Sequence, residues 1–295
     1  MSVYRFTLVA AVNSRKTLES NLLASPALKS SQVVQMIFKE GASSASLAYN
    51  AALDESVGDI VVFAHQDVYL PAGWFEAVAQ SVAALDASNV RWGVLGCFGS
   101  RKHAAGGLGR VYTHGLGLHG NAIAKPEPVE TIDEIVLILR KSSGLSFDGK
   151  LPHFHMYGTD ICLAARAQGL SSYVVPAFCV HNTNQLLILP PEFYDCFAFV
   201  KRKWSKYLPI ATACVTMTSW DGALWRKRAE EIFVRLTGRQ REALKRVDDP
   251  RSLLPDSFWN HLALDPHTAL TMPASPRTGF QTRKLDDRSW EHGSR

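Results

Sequence analysis

The stretch Asp59-Ile60-Val61-Val62-Phe63-Ala64-His65-Gln66-Asp67-Val68 is an apolar run that stops abruptly on a histidine, an amide and a carboxylate. A short continuous apolar run bounded by polar residues predicts a strand covered on both faces, as in a parallel α/β sheet. Asp67 then emerges at its C-terminal edge. Open α/β sheets bind ligands beyond the carboxyl ends of their strands, so a carboxylate there suits a metal that neutralises a phosphorylated substrate. Capping of the next helix is the competing role for Asp67, but Leu70-Pro71-Ala72-Gly73-Trp74 supplies a separate helix start.

Outward from this strand the pattern alternates. Tyr4 to Val12 is an apolar run that ends at Asn13-Ser14-Arg15-Lys16, and Leu18, Leu22 and Leu23 then recur at helical spacing. Gln32 to Phe38 reads as a second strand, and the serines after Gly41 are N-cap candidates for a helix through Leu47, Ala48, Ala51, Ala52 and Leu53. Beyond the central strand, a helix from Ala72 to Leu85 carries Phe75, Val78, Val82 and Leu85 on one face and leads into a strand at Trp92 to Cys97. Strand and helix alternation at this spacing predicts right-handed crossovers and a parallel sheet.

The chain has 295 residues, 46% hydrophobic and 20% charged, with a formal net charge of +5. That length suits one large α/β domain or one domain with an appendage, the balance is that of a soluble globular chain, and no apolar run approaches the roughly 20 residues of a membrane span. A mild positive charge admits an anionic substrate or lipid surface and does not call for nucleic acid. The region after Met1 lacks a basic segment followed by a signal-peptide core, which favours the cytoplasm. Cys97, Cys162, Cys179, Cys196 and Cys214 form no CxxC pair and read as buried free thiols.

Between Gly99 and Glu130 the pattern breaks into glycines interleaved with His103, His114 and His119. A structureless stretch of this length predicts a lid or loop, with the glycines as hinges for closure over a ligand. Ile135 to Leu139 is a further strand, and Ser172 to Val175 another. Ile161, Ala164 and Ala165 have helical spacing with Gly169 at the stop, which puts Asp160 in the first turn, ionised by the helix dipole and aimed outwards as a general base or serving as a cap. His181 follows an apolar segment, where a histidine is commonly a core residue.

Taken together, these stretches resemble family 2 nucleotide-sugar glycosyltransferases of the GT-A fold, in the branch whose central strand ends in His-Gln-Asp-Val. The resemblance covers about residues 4 to 185 and runs in the family's order: Asn13, Ala48-Tyr49-Asn50-Ala51-Ala52-Leu53, Gly58 to Asp67, Phe147-Asp148, Tyr157-Gly158-Thr159-Asp160 with Leu163, Arg166 and Gly169, then Pro176 and His181. It implies a GT-A, Rossmann-like, mainly parallel sheet flanked by helices, with a C-terminal helical appendage. It also implies transfer of a sugar from a nucleoside diphosphate sugar to an acceptor hydroxyl, with inversion at the anomeric carbon, in a setting such as polysaccharide biosynthesis.

Carried over by position, Asp67 is similar to the last acidic residue of the family's DxD metal motif, while His65 stands where the first aspartate often stands. Asp160 matches the acceptor base, with Thr159 in place of the usual glutamate. His181 matches a late histidine that completes the metal or diphosphate site. Asn13, Glu40, His65 and Asp67 are the implied donor contacts, Asp67 and His181 the implied ligands of Mn²⁺ or Mg²⁺, with histidine favouring Mn²⁺. The implied acceptor is a saccharide or a lipid-linked one, at the inner face of the membrane in the latter case.

Past Leu189 the character changes, so the expected organisation is a glycosyltransferase domain over 1–189, a helical extension over 190–265 and a flexible tail over 266–295. Phe193, Phe197, Val200 and Trp204 form one helical stripe opposite Lys201, Arg202, Lys203 and Lys206, which suits core packing or peripheral contact of 193–206 with anionic lipid. A second helix, Gly222 to Val247, has Leu224, Trp225, Ala229, Ile232, Phe233 and Leu236 on one face to pair with the first, and Leu253, Leu254, Phe258, Trp259, Leu262 and Leu264 can dock beyond it. Two alternatives are a nucleotide-sugar-binding protein with a decayed site, favoured by His65 and Thr159, and a nucleotidyltransferase, disfavoured because Asn13-Ser14-Arg15-Lys16 lacks glycine.

Overall fold

Ile60–Ala64 is a strand buried at every residue, and it lies inside a seven-stranded sheet. A computed structural model describes residues 4–102, 106–184, 189–236 and 245–264 of the chain. In chain order the first elements are β1 (Phe6–Val12), α1 (Arg15–Ser20), β2 (Val33–Glu40), α2 (Ala45–Glu55), β3 (Ile60–Ala64), β4 (Val68–Tyr69), α3 (Trp74–Ala87) and β5 (Trp92–Gly96). Six short strands follow: β6 (Gly99–Ser100), β7 (Gly107–Leu108), β8 (Val111–Thr113), β9 (Gly117–His119), β10 (Glu127–Val129) and β11 (Thr131–Ile132). Then come β12 (Val136–Arg140), α4 (Tyr157–Ala167), β13 (Ser171–Val174), β14 (Cys179–His181), α5 (Pro191–Lys203), α6 (Gly222–Leu236) and α7 (Asp256–Leu264).

The main sheet has the order β10-β13-β5-β12-β3-β1-β2. Strands β1, β2, β3, β5 and β13 run one way, so the expected α/β fold with a mainly parallel sheet is present. Its two faces follow the two-residue period of a strand. Val61, Phe63, Leu137 and Leu139 point into a core shared with α2, α4 and α5, whereas Ile60, Val62, Val136 and Ile138 point into one covered by α3. On α3 the residues Phe75, Val78, Val82 and Leu85 are buried as their spacing predicts. Ser44 caps α2 by accepting from the Leu47 amide. A third cluster docks Phe258, Trp259 and Leu262 of α7 on Tyr69, Phe178 and Val180.

Several expectations are corrected. Strand β12 runs antiparallel between β3 and β5, because it enters from the β11 end of the chain without a crossover helix. The Gly99 to Glu130 stretch is not structureless: its short strands build small sheets of order β11-β6-β7 and β4-β14-β8-β9. Several of its glycines serve turns or close packing. Gly109 has φ +87°, and a Cβ there would lie 1.9 Å from the Cys97 carbonyl oxygen. His103 lies outside the described residues, as do 266–295 and 237–244.

In the C-terminal third, Phe193, Phe197 and Val200 of α5 are buried in the main core, which removes the aromatic stripe of 193–206 from any lipid surface. The outer face of α6 shows the reverse, with Trp225, Ile232, Phe233 and Leu236 exposed, while Leu224 packs on the core margin and Glu231 accepts from Tyr194 Oη at 2.6 Å. Residues 245–247 are not helical. Cys214 is exposed, and the other four thiols are buried and free. Among the described residues, no helix is long and apolar enough to cross a membrane.

If Gly109 is a packing position, Gly109→Ala must strain a left-handed residue and displace the Cys97 carbonyl. The expected loss is about 2–4 kcal/mol, summing the left-handed penalty and overpacking. An unfolding free energy from urea titration lowered by less than about 1 kcal/mol would overturn the packing role of Gly109.

Candidate active site

Where β3 ends, the chain turns sharply enough for the Val68 amide to donate to the His65 carbonyl at 3.2 Å. Gln66 holds that turn against the end of β1: its Oε1 accepts the Asn13 and Ser14 amides at 3.1 and 3.0 Å, and its Nε2 donates to Asn13 Oδ1. Opposite, β14 pairs with β4 so that His181 stands beside Val68. The Asn182 amide completes the frame by donating to the Asp67 carbonyl at 2.9 Å.

These constraints bring together three residues that the sequence implicated separately. His181 Nε2 lies 3.3 Å from Asp67 Oδ1, and the His65 and His181 rings meet edge to face with centroids 5.5 Å apart. One potential ligand atom from each of His65, Asp67 and His181 falls within a 4.8 Å span. Ligands around an ion at roughly 2.1 Å stand about 3–4.2 Å apart, so a contraction of about half an ångström closes the set on a cation. Two imidazoles and one carboxylate make a mixed nitrogen and oxygen donor set of the kind that binds divalent metal ions. By its donor chemistry the cluster fits a divalent metal.

A residue that sequence reasoning missed already answers the Asp67 charge. Arg246 donates from Nη2 to Asp67 Oδ2 at 2.8 Å and from Nε to the Asn182 carbonyl at 3.0 Å. Burial alone would raise the Asp67 carboxyl, but His181, His65 and Arg246 outweigh it and hold it well below the usual carboxylate range. Burial likewise opposes a proton on His181, yet the Asp67 contact raises it above an ordinary histidine. At His65 burial wins, helped by the His181 charge, and the ring is driven down to about 4. Its Nε2 lies 2.8 Å from Tyr157 Oη.

Tyr157 opens α4, which also carries Asp160 in its first turn. The expected outward aim is not what the structure has. Asp160 is 2% exposed, and it accepts from Lys203 Nζ at 2.9 Å and Trp204 Nε1 at 2.6 Å. Burial raises its carboxyl, and the Lys203 and Trp204 contacts only partly oppose that, so the helix dipole does not dominate. Lys203 also pairs with Asp148 at 2.8 Å and thus bridges two carboxylates. Asn13 is exposed at the end of β1, and the Val12–Glu40 register places exposed Glu40 beside it on β2, at the same end of the sheet as Asp67. His65, Asp67 and His181 form one cluster, with Asn13 joined to it through Gln66, Asp160 through α4, and Glu40 two strands away.

Glu134 is a second residue without a sequence signal. Its Oε1 accepts the Gly158 amide at 3.3 Å at the start of α4, and its backbone carbonyl accepts from Tyr157 Oη at 3.3 Å.

No protein-family model matches the chain. A 156-residue stretch, 52% of this chain, is 25% identical to the protein described as ATP synthase subunits region ORF 6 of Fuscovulum blasticum and spans 62% of its length. Among solved structures, GalNAc-T7 with UDP, GalNAc and Mn²⁺ superposes with a TM-score of 0.49 at 10% identity, over 78% of this chain and 54% of that one. S. aureus TarS 1-349 in complex with UDP-GlcNAc gives 0.43 at 13% identity, over 68% and 66%. A197 from STIV gives 0.36 at 15% identity, over 58% and 81%.

Burial, reinforced by Asp133, pushes the Glu134 carboxyl up to about 8 in the folded chain, against about 4.3 when unfolded. A raised folded value means its stabilising effect is complete below about pH 4.3 and is lost as pH rises through about 8. Glu134→Gln removes that dependence. Its melting temperature should match wild type near pH 4.5 and exceed it by roughly 5 °C at pH 8.5. Parallel melting profiles would show that Glu134 ionises normally.

Proposed function

We propose that this chain is a metal-assisted, inverting glycosyltransferase that moves a sugar from a nucleoside diphosphate sugar to an acceptor hydroxyl. The observation that carries the proposal is the convergence of His65, Asp67 and His181 beyond the C-terminal end of β3, where an α/β sheet binds ligands. The sequence resemblance over about residues 4 to 185 supports the same chemistry, since it matches Asp67 and His181 to the family's metal site. A hard divalent cation held there, Mn²⁺ in preference to Mg²⁺, would offset the charge that grows on the leaving diphosphate.

The remaining steps belong to the chain itself. Asn13, fixed by Gln66 at the end of β1, and Glu40 beside it on β2 would hold the base or ribose, and His65 would contact the diphosphate. Asp160 takes the proton from the acceptor hydroxyl as that oxygen bonds to the anomeric carbon. The anomeric carbon–oxygen bond to the diphosphate breaks, and the diphosphate leaves with the electron pair. Attack opposite the leaving group gives inversion. Lys203 must release Asp160 for this, because a carboxylate held by an ammonium is a poor proton acceptor. The acceptor is a saccharide, free or lipid-linked.

The buried Asp160–Lys203 pair specifically favours a second role, in which Asp160 only fastens α4 to α5 and the protein binds nucleotide sugars without turnover.

One substitution tests the donor site and another the base. Asp67→Ala should abolish Mn²⁺-dependent binding of the nucleoside diphosphate by calorimetry, and retained affinity would remove Asp67 from the site. Asp160→Asn keeps shape and hydrogen bonding, so donor binding should survive while transfer falls roughly 10²–10⁴-fold. A transfer rate within a few-fold of wild type would place the base elsewhere.

A further inference from the structure

The segment Lys245-Arg246-Val247 forms neither helix nor strand and reaches the cluster through Arg246. Asn182 clamps it at both backbone groups of one residue: its Nδ2 donates to the Val247 carbonyl at 2.7 Å, and its Oδ1 accepts the Val247 amide at 3.2 Å. Asn182 is fully buried and also donates to Asn21 Oδ1 at 2.8 Å, so the clamp is built into the core. Downstream, Asp249 caps the next turn, and α7 sinks Phe258 and Trp259 against Tyr69, two residues beyond Asp67. The strap is therefore tethered near the site by buried aromatics. Arg246 itself is held by hydrogen bonds that can be exchanged.

The Arg246 guanidinium occupies Asp67 Oδ2, one of the two oxygens a divalent cation would use. A guanidinium and a divalent ion cannot share one buried carboxylate without strong repulsion, because charges so close are poorly screened. Arginine remains charged in either position. Displaced from Asp67 but still tethered, the guanidinium stays beside the site, where the diphosphate of a bound donor would offer it an anion of matching geometry. The planar fork suits bidentate phosphate recognition.

We infer that Arg246 is a diphosphate-binding residue stored on Asp67: it neutralises the carboxylate in the ligand-free chain and passes to the donor's diphosphate when a divalent cation takes Asp67. This rests on the donor-site assignment above and adds to it a residue from outside the region of family resemblance. It makes the guanidinium and the cation competitors in the first step and partners in the second. A purely structural ion pair would show the first relation without the second.

The experiment titrates MnCl₂ alone, then inorganic pyrophosphate into Mn²⁺-saturated protein, by calorimetry on wild type, Arg246→Gln and Arg246→Lys. Arg246→Gln should bind Mn²⁺ about five- to tenfold more tightly, having lost the competing cation, and pyrophosphate about tenfold more weakly, having lost a charge-assisted bidentate contact. Arg246→Lys keeps the charge and loses the fork, so both changes should have the same sign and be about two- to fivefold. It decides the question if circular dichroism shows the glutamine variant unfolded. Unchanged Mn²⁺ affinity, or unchanged pyrophosphate affinity, in the folded variants overturns the role of Arg246 while leaving the donor site standing. Failure of wild type and variants alike to bind either probe overturns the donor site and the inference together.

Discussion

A buried carboxylate has to be answered by charge, and Asp67 sets that demand for the whole site. At 5% exposure its negative charge is costly unless paired, because water no longer solvates it. The protein meets the demand from two distant parts of the chain, with His181 from β14 on one oxygen and Arg246 from the C-terminal strap on the other. Fixing Asp67 therefore requires three things at once: the turn after β3, the β4–β14 pairing and the Asn182 clamp. The small sheet β4-β14-β8-β9 gains its meaning here, since it holds His181 in register with Val68.

The main sheet provides the rigid platform on which this balance is possible. Its strands alternate side chains between two apolar cores, so β3 cannot slip by one residue without sending Phe63 and Val62 to the wrong faces. Register at the strand then fixes where His65 and Asp67 leave the sheet. Gly158 shows the same tolerance on the other wall. A Cβ there would come within 2.7 Å of the Ile132 carbonyl oxygen, so close approach of α4 to the strand segment is what allows Tyr157 to reach His65.

Much of this was legible in the sequence, for identifiable reasons. A five-residue apolar run ending in polar residues has few structural solutions, and β3 with Asp67 at its edge was one of them. The face of α3 was readable because Phe75, Val78, Val82 and Leu85 repeat at helical spacing. The direction of β12 was not, since a strand buried on both faces carries the same residues whichever way it runs. The short strands between Gly99 and Glu130 were hidden because two or three residues are too few to show alternation, and glycines needed for close packing look like glycines needed for flexibility. Arg246 lies 179 residues from Asp67, and one arginine among many in a basic stretch has no pattern to mark it. The burial of Asp160 was equally silent, because its cover comes from Lys203 and Trp204 on another helix.

A common feature joins these last two residues. Asp67 and Asp160 come from separate elements of the sheet domain, and each receives its cation from the C-terminal third: Arg246 for one, Lys203 for the other. Neither cation is buried as deeply as its carboxylate, with side-chain exposures of 29% and 27% against 7% and 3%. The carboxylates are thus fixed parts of the frame, and the cations are long, partly solvated side chains that can swing away at lower cost. That asymmetry suits a site which must trade internal counter-charges for external ones, since the group that moves is the one already in partial contact with water. The C-terminal third consequently does more than cover the sheet. It places a counter-charge on both carboxylates before any ligand arrives, and it does so through the part of the chain in which the sequence offered no catalytic motif.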